Sequence, residues 1–152
     1  MSEKVIKLLN DARKRELLAI LQYMAEHYEL EDQGYGKIGD ELKKIAIVEM
    51  KHAEELAERI LFLGGVPTTE LEAKVQKGLS IKDMLKVDIH LEEGAIKMYN
   101  DAANACAQEG DHVSKAVFES LLGAEDGHLD DFQKKLDHVE KLGDVYLTTL
   151  LD

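Results

Sequence analysis

The chain has 152 residues with one proline, eleven glycines and no tryptophan, a length that suits one domain with a full hydrophobic core and a composition rich in helix formers. Its formal net charge of -12 argues against nucleic acid or an anionic membrane as partner, since both demand basic patches, and suits a surface that attracts cations. Cys106 is the only cysteine, which excludes a disulfide framework and a CxxC metal or redox pair.

The first segment opens MSEKVIKLLNDARKRE, where charges interrupt the apolar residues, so no secretory leader is expected. Its apolar stripe runs through Val5, Leu8, Leu9, Ala12, Ala19, Tyr23 and Leu30 with the period of an amphipathic helix. EDQGYG (31–36) breaks it. A second stripe follows through Ile38, Leu42, Ile45, Leu56 and Leu63, and LGGVPTT (63–69), which holds the only proline, ends it. The stretch from Gly64 to about Leu79 is longer than a helical hairpin needs and predicts a crossover. Ser80 then caps a third helix, with Asp83 favourable in its first turn. This helix carries Ile81, Leu85, Ile89, Ala95, Ile96, Tyr99 and Cys106, and QEGD (108–111) closes it. The fourth carries Phe118, Leu121, Leu122, Leu129, Phe132, Leu136 and Val139 up to a break at Gly143. The remaining residues, about 144–151, are long enough for a short fifth helix. No apolar run approaches the roughly 18 residues of a membrane span. The expectation is an all-α, cytoplasmic protein, a single domain over 1–152 in which hairpins at about 3–64 and 80–142 form a four-helix bundle.

The stripes are not wholly apolar. Glu16 lies on the first, Glu49 and His52 on the second, Glu92 on the third, and Glu125 and His128 on the fourth. Glu16 and Glu49 are 33 residues apart, as are Glu92 and Glu125, and each second glutamate precedes a histidine by three. The pattern ELLAILQY…EMKH recurs after 76 residues as EEGAIKMY…EDGH, with Tyr99 matching Tyr23. One hairpin has been duplicated. The midpoint of each glutamate pair falls in a predicted turn, so each antiparallel hairpin sets Glu, Glu and His at one height. Two such hairpins bring together four carboxylates and two imidazoles.

Carboxylates crowded in a dry interior repel, and each unpaired ion costs several kcal/mol. The stripes offer almost no Lys or Arg at these heights. Two divalent cations balance four carboxylates, and oxygen and imidazole donors without thiolates favour iron or manganese over structural zinc. One Glu from each of two helices plus Glu-x-x-His from each of the others is the known ligand pattern of di-iron carboxylate bundles. With eighteen glutamates and six histidines, chance alone supplies roughly one Glu-x-x-His, and Glu109/His112 in a polar turn is such an accident. Two copies on apolar stripes, each with a glutamate at the same distance upstream, are not.

RELLAILQY, VEMKHAEELAERILFLGGVP, DIHLEEGA and AEDGHLDDF closely resemble bacterioferritins, and the similarity runs through all four helices. The resemblance implies a ferritin-like four-helix bundle with a long crossover between helices 2 and 3. It implies a homo-oligomer, a 24-mer cage built from dimers, that oxidises Fe(II) with O2 or H2O2, stores ferric mineral and takes electrons from a ferredoxin-type reductant. By the same resemblance Glu16 and His52 hold one iron, Glu92 and His128 the other, and Glu49 and Glu125 bridge them. Tyr23 matches a tyrosine beside the centre that serves as redox or hydrogen-bonding partner, with an ordinary core aromatic as the alternative. Met50, next to Glu49, points off the core face. The residues alone allow an ordinary interface methionine, and the resemblance implies the axial sulfur of a haem b shared across a twofold dimer. Lys44 and Val48 stand where some bacterioferritins carry a histidine and an aspartate as additional iron ligands. A rubrerythrin-like di-iron peroxide reductase and a non-catalytic structural bundle are the alternatives; the former lacks support from the cysteine pairs of an attached rubredoxin domain.

Overall fold

A computed structural model describes residues 2–152. Helix α1 spans Glu3–Asp32, α2 Gly36–Phe62, α3 Ile81–Gln108, α4 His112–Leu142 and α5 Asp144–Thr149. The first four form the bundle: α1 packs on α2, α3 packs on α4, and the two hairpins face one another across a shared core. This is the expected all-α bundle with crossover and short fifth helix, and α5 is one turn and a half long.

The ends follow local chemistry. Ser2 Oγ accepts from the Val5 amide at 3.3 Å and Ser80 Oγ from the Asp83 amide at 3.2 Å, each satisfying an amide that the first turn leaves free. Both hairpins turn in the same way. Gly34 (φ +87°) and Gly110 (φ +72°) take the left-handed conformation that closes a helix with little steric cost. The next amides, of Tyr35 and Asp111, then bond back to the carbonyls of Leu30 and Cys106 at 2.8 and 2.9 Å. Gly34 and Gly110, and likewise Leu30 and Cys106, are 76 residues apart, so the duplication extends into the turns.

The crossover runs along α1 and is tied to it by polar contacts. Asn10 brackets Val66 and Thr68, Arg13 donates to the Thr68 carbonyl, and the Glu72 amide donates to the Lys14 carbonyl. Further along, Gln22 exchanges two hydrogen bonds with the backbone of Gln76, and Glu29 accepts from the Gly78 amide. From Asn10 to Glu29 is about 28 Å at 1.5 Å per residue, so the crossover carries the chain along most of the bundle and lets α3 start at the end where α2 started.

The apolar core is in two parts. One holds Leu9, Leu56, Ile60, Tyr99, Phe118 and Leu121; the other holds Tyr23, Leu42, Met84, Phe132 and Val139, with Tyr146, Leu147 and Leu150 of the tail packed against it. A polar layer lies between them. At about 1.5–3 kcal/mol for each large buried side chain, these two clusters hold the layer in place.

A tie between α2 and α4 reinforces the first cluster. Asp111 accepts from the Ser114 amide at 2.9 Å and from the Arg59 guanidinium at 3.0 Å, and Arg59 Nε donates to Ser114 Oγ at 2.9 Å. Against its partial burial, the Ser114 and Arg59 donors hold the Asp111 carboxyl below its ordinary range. Asp111→Ala removes a cap and a charge-assisted bond together, and a loss of about 2 kcal/mol is expected in urea unfolding of the apo-protein. A loss under about 0.5 kcal/mol contradicts this role.

Candidate metal centre

The layer between the two apolar clusters contains Glu16, Glu49, Glu92 and Glu125, each 1% exposed, with His52 and His128 beside them. Two ligand groups converge. Glu16, Glu49, His52 and Glu125 form one and Glu49, Glu92, Glu125 and His128 the other, with the donor atoms within each group all inside 4.8 Å of one another. Glu49 and Glu125 belong to both groups. His52 Nδ1 lies 3.1 Å from Glu125, 3.5 Å from Glu49 and 3.6 Å from Glu16, and His128 Nδ1 lies 3.4 Å from Glu49 and 3.6 Å from Glu92. The second set is the first shifted by 76 residues, so the centre has the pseudo-twofold symmetry of the duplicated hairpin.

All six residues that the spacing singles out therefore stand together, and Tyr23 with them. Its phenol donates to Glu92 at 2.6 Å. Tyr99, its counterpart in the repeat, donates to Glu16 at 2.5 Å. Both tyrosines are fully buried, and burial together with the facing carboxylates raises both phenols far above their ordinary value, so they remain donors at any working pH. The sequence motifs did not assign a role to Tyr99, although the repeat carried the signal. The basic residues nearest in sequence are turned elsewhere. Arg15 reaches the Leu91 carbonyl at 3.0 Å and Glu72 at 2.8 Å, passing over Gly94, where a β-carbon would collide with its guanidinium. Arg13 reaches the Ala53 carbonyl.

Among the described residues, no Lys or Arg thus offsets the carboxylates. Burial, then neighbouring Glu49, pushes Glu16 up to about 8. Burial likewise pushes Glu92 to about 8 and Glu125 to about 7. Burial opposes protonation of His52, yet the facing carboxylates of Glu125, Glu16 and Glu49 outweigh it and push the imidazole up to about 12. His128 is raised in the same way, with Glu92 as its main partner. Protons on the carboxylates and imidazoles thus offset the repulsion wherever no metal cation does.

Each of the six residues also keeps one buried polar atom without a hydrogen-bond partner: Glu16 Oε2, Glu49 Oε1, His52 Nδ1, Glu92 Oε2, Glu125 Oε1 and His128 Nδ1. Buried polar atoms are rarely left so. Six in one layer, all oxygen or imidazole nitrogen, fit a pair of divalent first-row metal ions.

The ferritin-like domain family matches residues 6–142. The bacterioferritin of Desulfovibrio desulfuricans is 42% identical over 147 residues, covering 97% of this chain and 82% of the relative. That of Brucella melitensis is 36% identical over 141 residues, covering 93% and 88%. This chain belongs to the bacterioferritin family. The X-ray structure of the Desulfovibrio bacterioferritin, described as showing its diiron site in different catalytic states, superposes with a TM-score of 0.95 over 97% of this chain and 86% of that one.

Other positions flagged by the bacterioferritin resemblance lie as follows. Met50 is 52% exposed on α2, with Ile47 (40%) one turn away on the same face. Lys44 is exposed and Val48 half-buried on α2. No helix among the described residues is long and apolar enough to cross a membrane.

Proposed function

We propose that this bacterioferritin is a ferroxidase that binds two iron ions at its six-residue centre, oxidises Fe(II) with O2 or H2O2, and stores the ferric product inside a cage of 24 copies assembled from dimers. The observation that carries this reading is the set of six orphaned buried donor atoms, one on each of Glu16, Glu49, His52, Glu92, Glu125 and His128. Residues 1–152 act as one ferritin-like domain, with the duplicated hairpins at about 3–64 and 80–142 each supplying half of the ligands.

In the division of labour, Glu16 and His52 hold one iron, Glu92 and His128 the other, and Glu49 and Glu125 serve both, in line with the two overlapping ligand groups. Bound iron supplies one-electron redox chemistry, each Fe(II) giving up a single electron to the oxidant. The protein supplies the rest. Glu16, Glu92, Glu125 and the two imidazoles release their protons as metal enters, because ligands must be deprotonated. The phenols of Tyr23 and Tyr99 then hold Glu92 and Glu16 in orientation, as supporting hydrogen bonds do for ligating carboxylates. The two apolar clusters keep bulk water out of the layer. The acidic chain, at -12, concentrates Fe(II) near the protein.

The test is anaerobic loading with Fe(II) followed by mixing with oxidant in a stopped-flow absorbance experiment. A fast phase that consumes two Fe(II) per chain is expected, together with elution as a large particle. Oxidation no faster than in buffer overturns the ferroxidase reading, and elution as a monomer overturns the cage.

Haem b is proposed as a second cofactor, with Met50 as axial ligand. Its thioether is suitable chemistry, and its exposed place beside Ile47 fits a group bound between two copies rather than within one. Met50→Leu keeps the volume and removes the ligand. Purified protein should then lose its Soret absorbance while keeping the fast Fe(II) phase; an unchanged Soret band removes Met50 from this role. A cytoplasmic location and a ferredoxin-type electron donor for iron release complete the proposal.

A further inference from the structure

Outside the six-residue centre the bundle buries a second carboxyl pair. Glu26 on α1 and Asp88 on α3 are each 1% exposed and act directly on one another, while no cationic side chain offsets either. Gln22 occupies one oxygen: its amide donates to Glu26 Oε2 at 2.8 Å and to the Gln76 carbonyl at 2.9 Å, while its own oxygen accepts from the Gln76 amide. The crossover thereby clamps Gln22 and gives it no second donor to share. Glu26 Oε1 and both carboxyl oxygens of Asp88 remain buried without a partner.

Both residues line a cavity of about 310 Å³ whose walls come from all four long helices. Its charged lining residues outside the pair come as two acids and two bases. Lys135 is engaged by Glu41 at 3.0 Å, and Lys44 and Asp131 are exposed. Net negative charge is therefore concentrated on Glu26 and Asp88, both buried. The pair adjoins the metal centre. Glu26 is one turn beyond Tyr23, Asp88 one turn before Glu92, and Tyr23 and Glu92 are themselves hydrogen-bonded.

A shared proton is the simplest occupant, and burial does raise both groups, Glu26 to about 7 and Asp88 well above its ordinary value. One proton between them satisfies two of the three open oxygens. It leaves the third bare and one negative charge buried, which remains costly. A divalent cation among the three oxygens balances both charges, and the cavity has room for the waters that complete its coordination.

We propose that Glu26 and Asp88 form a third divalent-cation site in the wall of this cavity, where Fe(II) is held before it passes to Glu92 and His128. The passage rests on the di-iron reading of the centre; the site itself does not.

Crystals of the full chain soaked anaerobically in Mn(II) at mildly alkaline pH test it by anomalous difference density. Three peaks per chain are expected, two at the six-residue centre and one between Glu26 and Asp88. In the Glu26→Gln/Asp88→Asn variant the third peak is lost and the other two remain, and calorimetric Mn(II) titration falls from three equivalents per chain to two. Density at the centre with none at the pair in the parent protein overturns the third site and leaves the di-iron reading intact. A third peak that survives the double substitution also overturns it. Density at the pair with none at the centre keeps the site and removes the di-iron reading instead.

Discussion

Replacing both shared carboxylates, Glu49→Gln together with Glu125→Gln, abolishes the fast phase of Fe(II) oxidation and leaves the bundle folded. Each glutamine keeps the shape of the side chain and one carbonyl oxygen but removes the charge on which both ligand groups depend. Loss of a residue that only supports a ligand costs about 10–100-fold in metal affinity or activity, so losing two ligands common to both metals is expected to cost more than about 100-fold. The apo-protein behaves in the opposite sense. Both residues are 1% exposed, and four carboxylates there face only two imidazoles, so removing two of the four leaves one carboxylate for each imidazole and relieves like-charge repulsion. The variant should therefore melt no lower than the parent in the absence of metal while binding iron much more weakly. Stopped-flow oxidation and apo-protein melting check the two halves. Retention of the fast phase removes the centre from the reaction. A fall in both activity and apo melting temperature identifies a folding defect, which single Glu49→Gln and Glu125→Gln variants then separate from a loss of ligation.

The centre was readable from sequence because a helix and a hairpin turn spacing into position. Glu49 and His52 face one way since three residues is nearly one turn, and Glu16 meets Glu49 because their midpoint coincides with the turn at Gly34. The 76-residue repeat then supplied the other half without any knowledge of packing. What escaped is what depends on contact across the two hairpins. Tyr99 looks like any core aromatic until its phenol is seen on Glu16. Asp88 and Glu26 share no spacing with the repeat, because the residues 76 positions away are Ala12 for Asp88 and Ala102 for Glu26. Only the packing of α1 on α3 pairs them. The anchoring of the crossover was equally hidden: Asn10, Gln22 and Glu29 are ordinary polar helix residues until the backbone of residues 66–78 lies across them. Helix α5 is present as expected and ends at Thr149, an end set by local capping that so short a pattern does not encode.

Apo-protein stability falls as pH rises from about 5 to about 8, and metal loading reverses the slope. Glu16 and Glu92 are raised to about 8 and Glu125 to about 7 from an ordinary 4.5, principally by burial. Between those values the folded apo-protein binds more protons than the unfolded chain does, so stability declines with pH. Each such group carries its contribution in full below its unfolded pKa and loses it as pH passes the folded one, at up to about 1.4 kcal/mol per pH unit while the difference lasts. His52, raised to about 12 by the carboxylates around it, acts in the same direction: its stabilisation is complete below its ordinary 6.5 and declines above that. The coupled layer titrates as a unit, so these contributions overlap rather than add. A fall of order 10 °C in apo melting temperature is expected across the window for a chain of this size. A divalent metal replaces those protons, and its affinity rises with pH because every ligand must be deprotonated. The loaded protein should therefore gain stability relative to apo as pH rises, and proton release on metal binding should be measurable in weakly buffered solution. Melting series of apo and Mn(II)-loaded protein at fixed chain concentration check the sign, and parallel curves for the two forms contradict a centre held together by exchangeable protons.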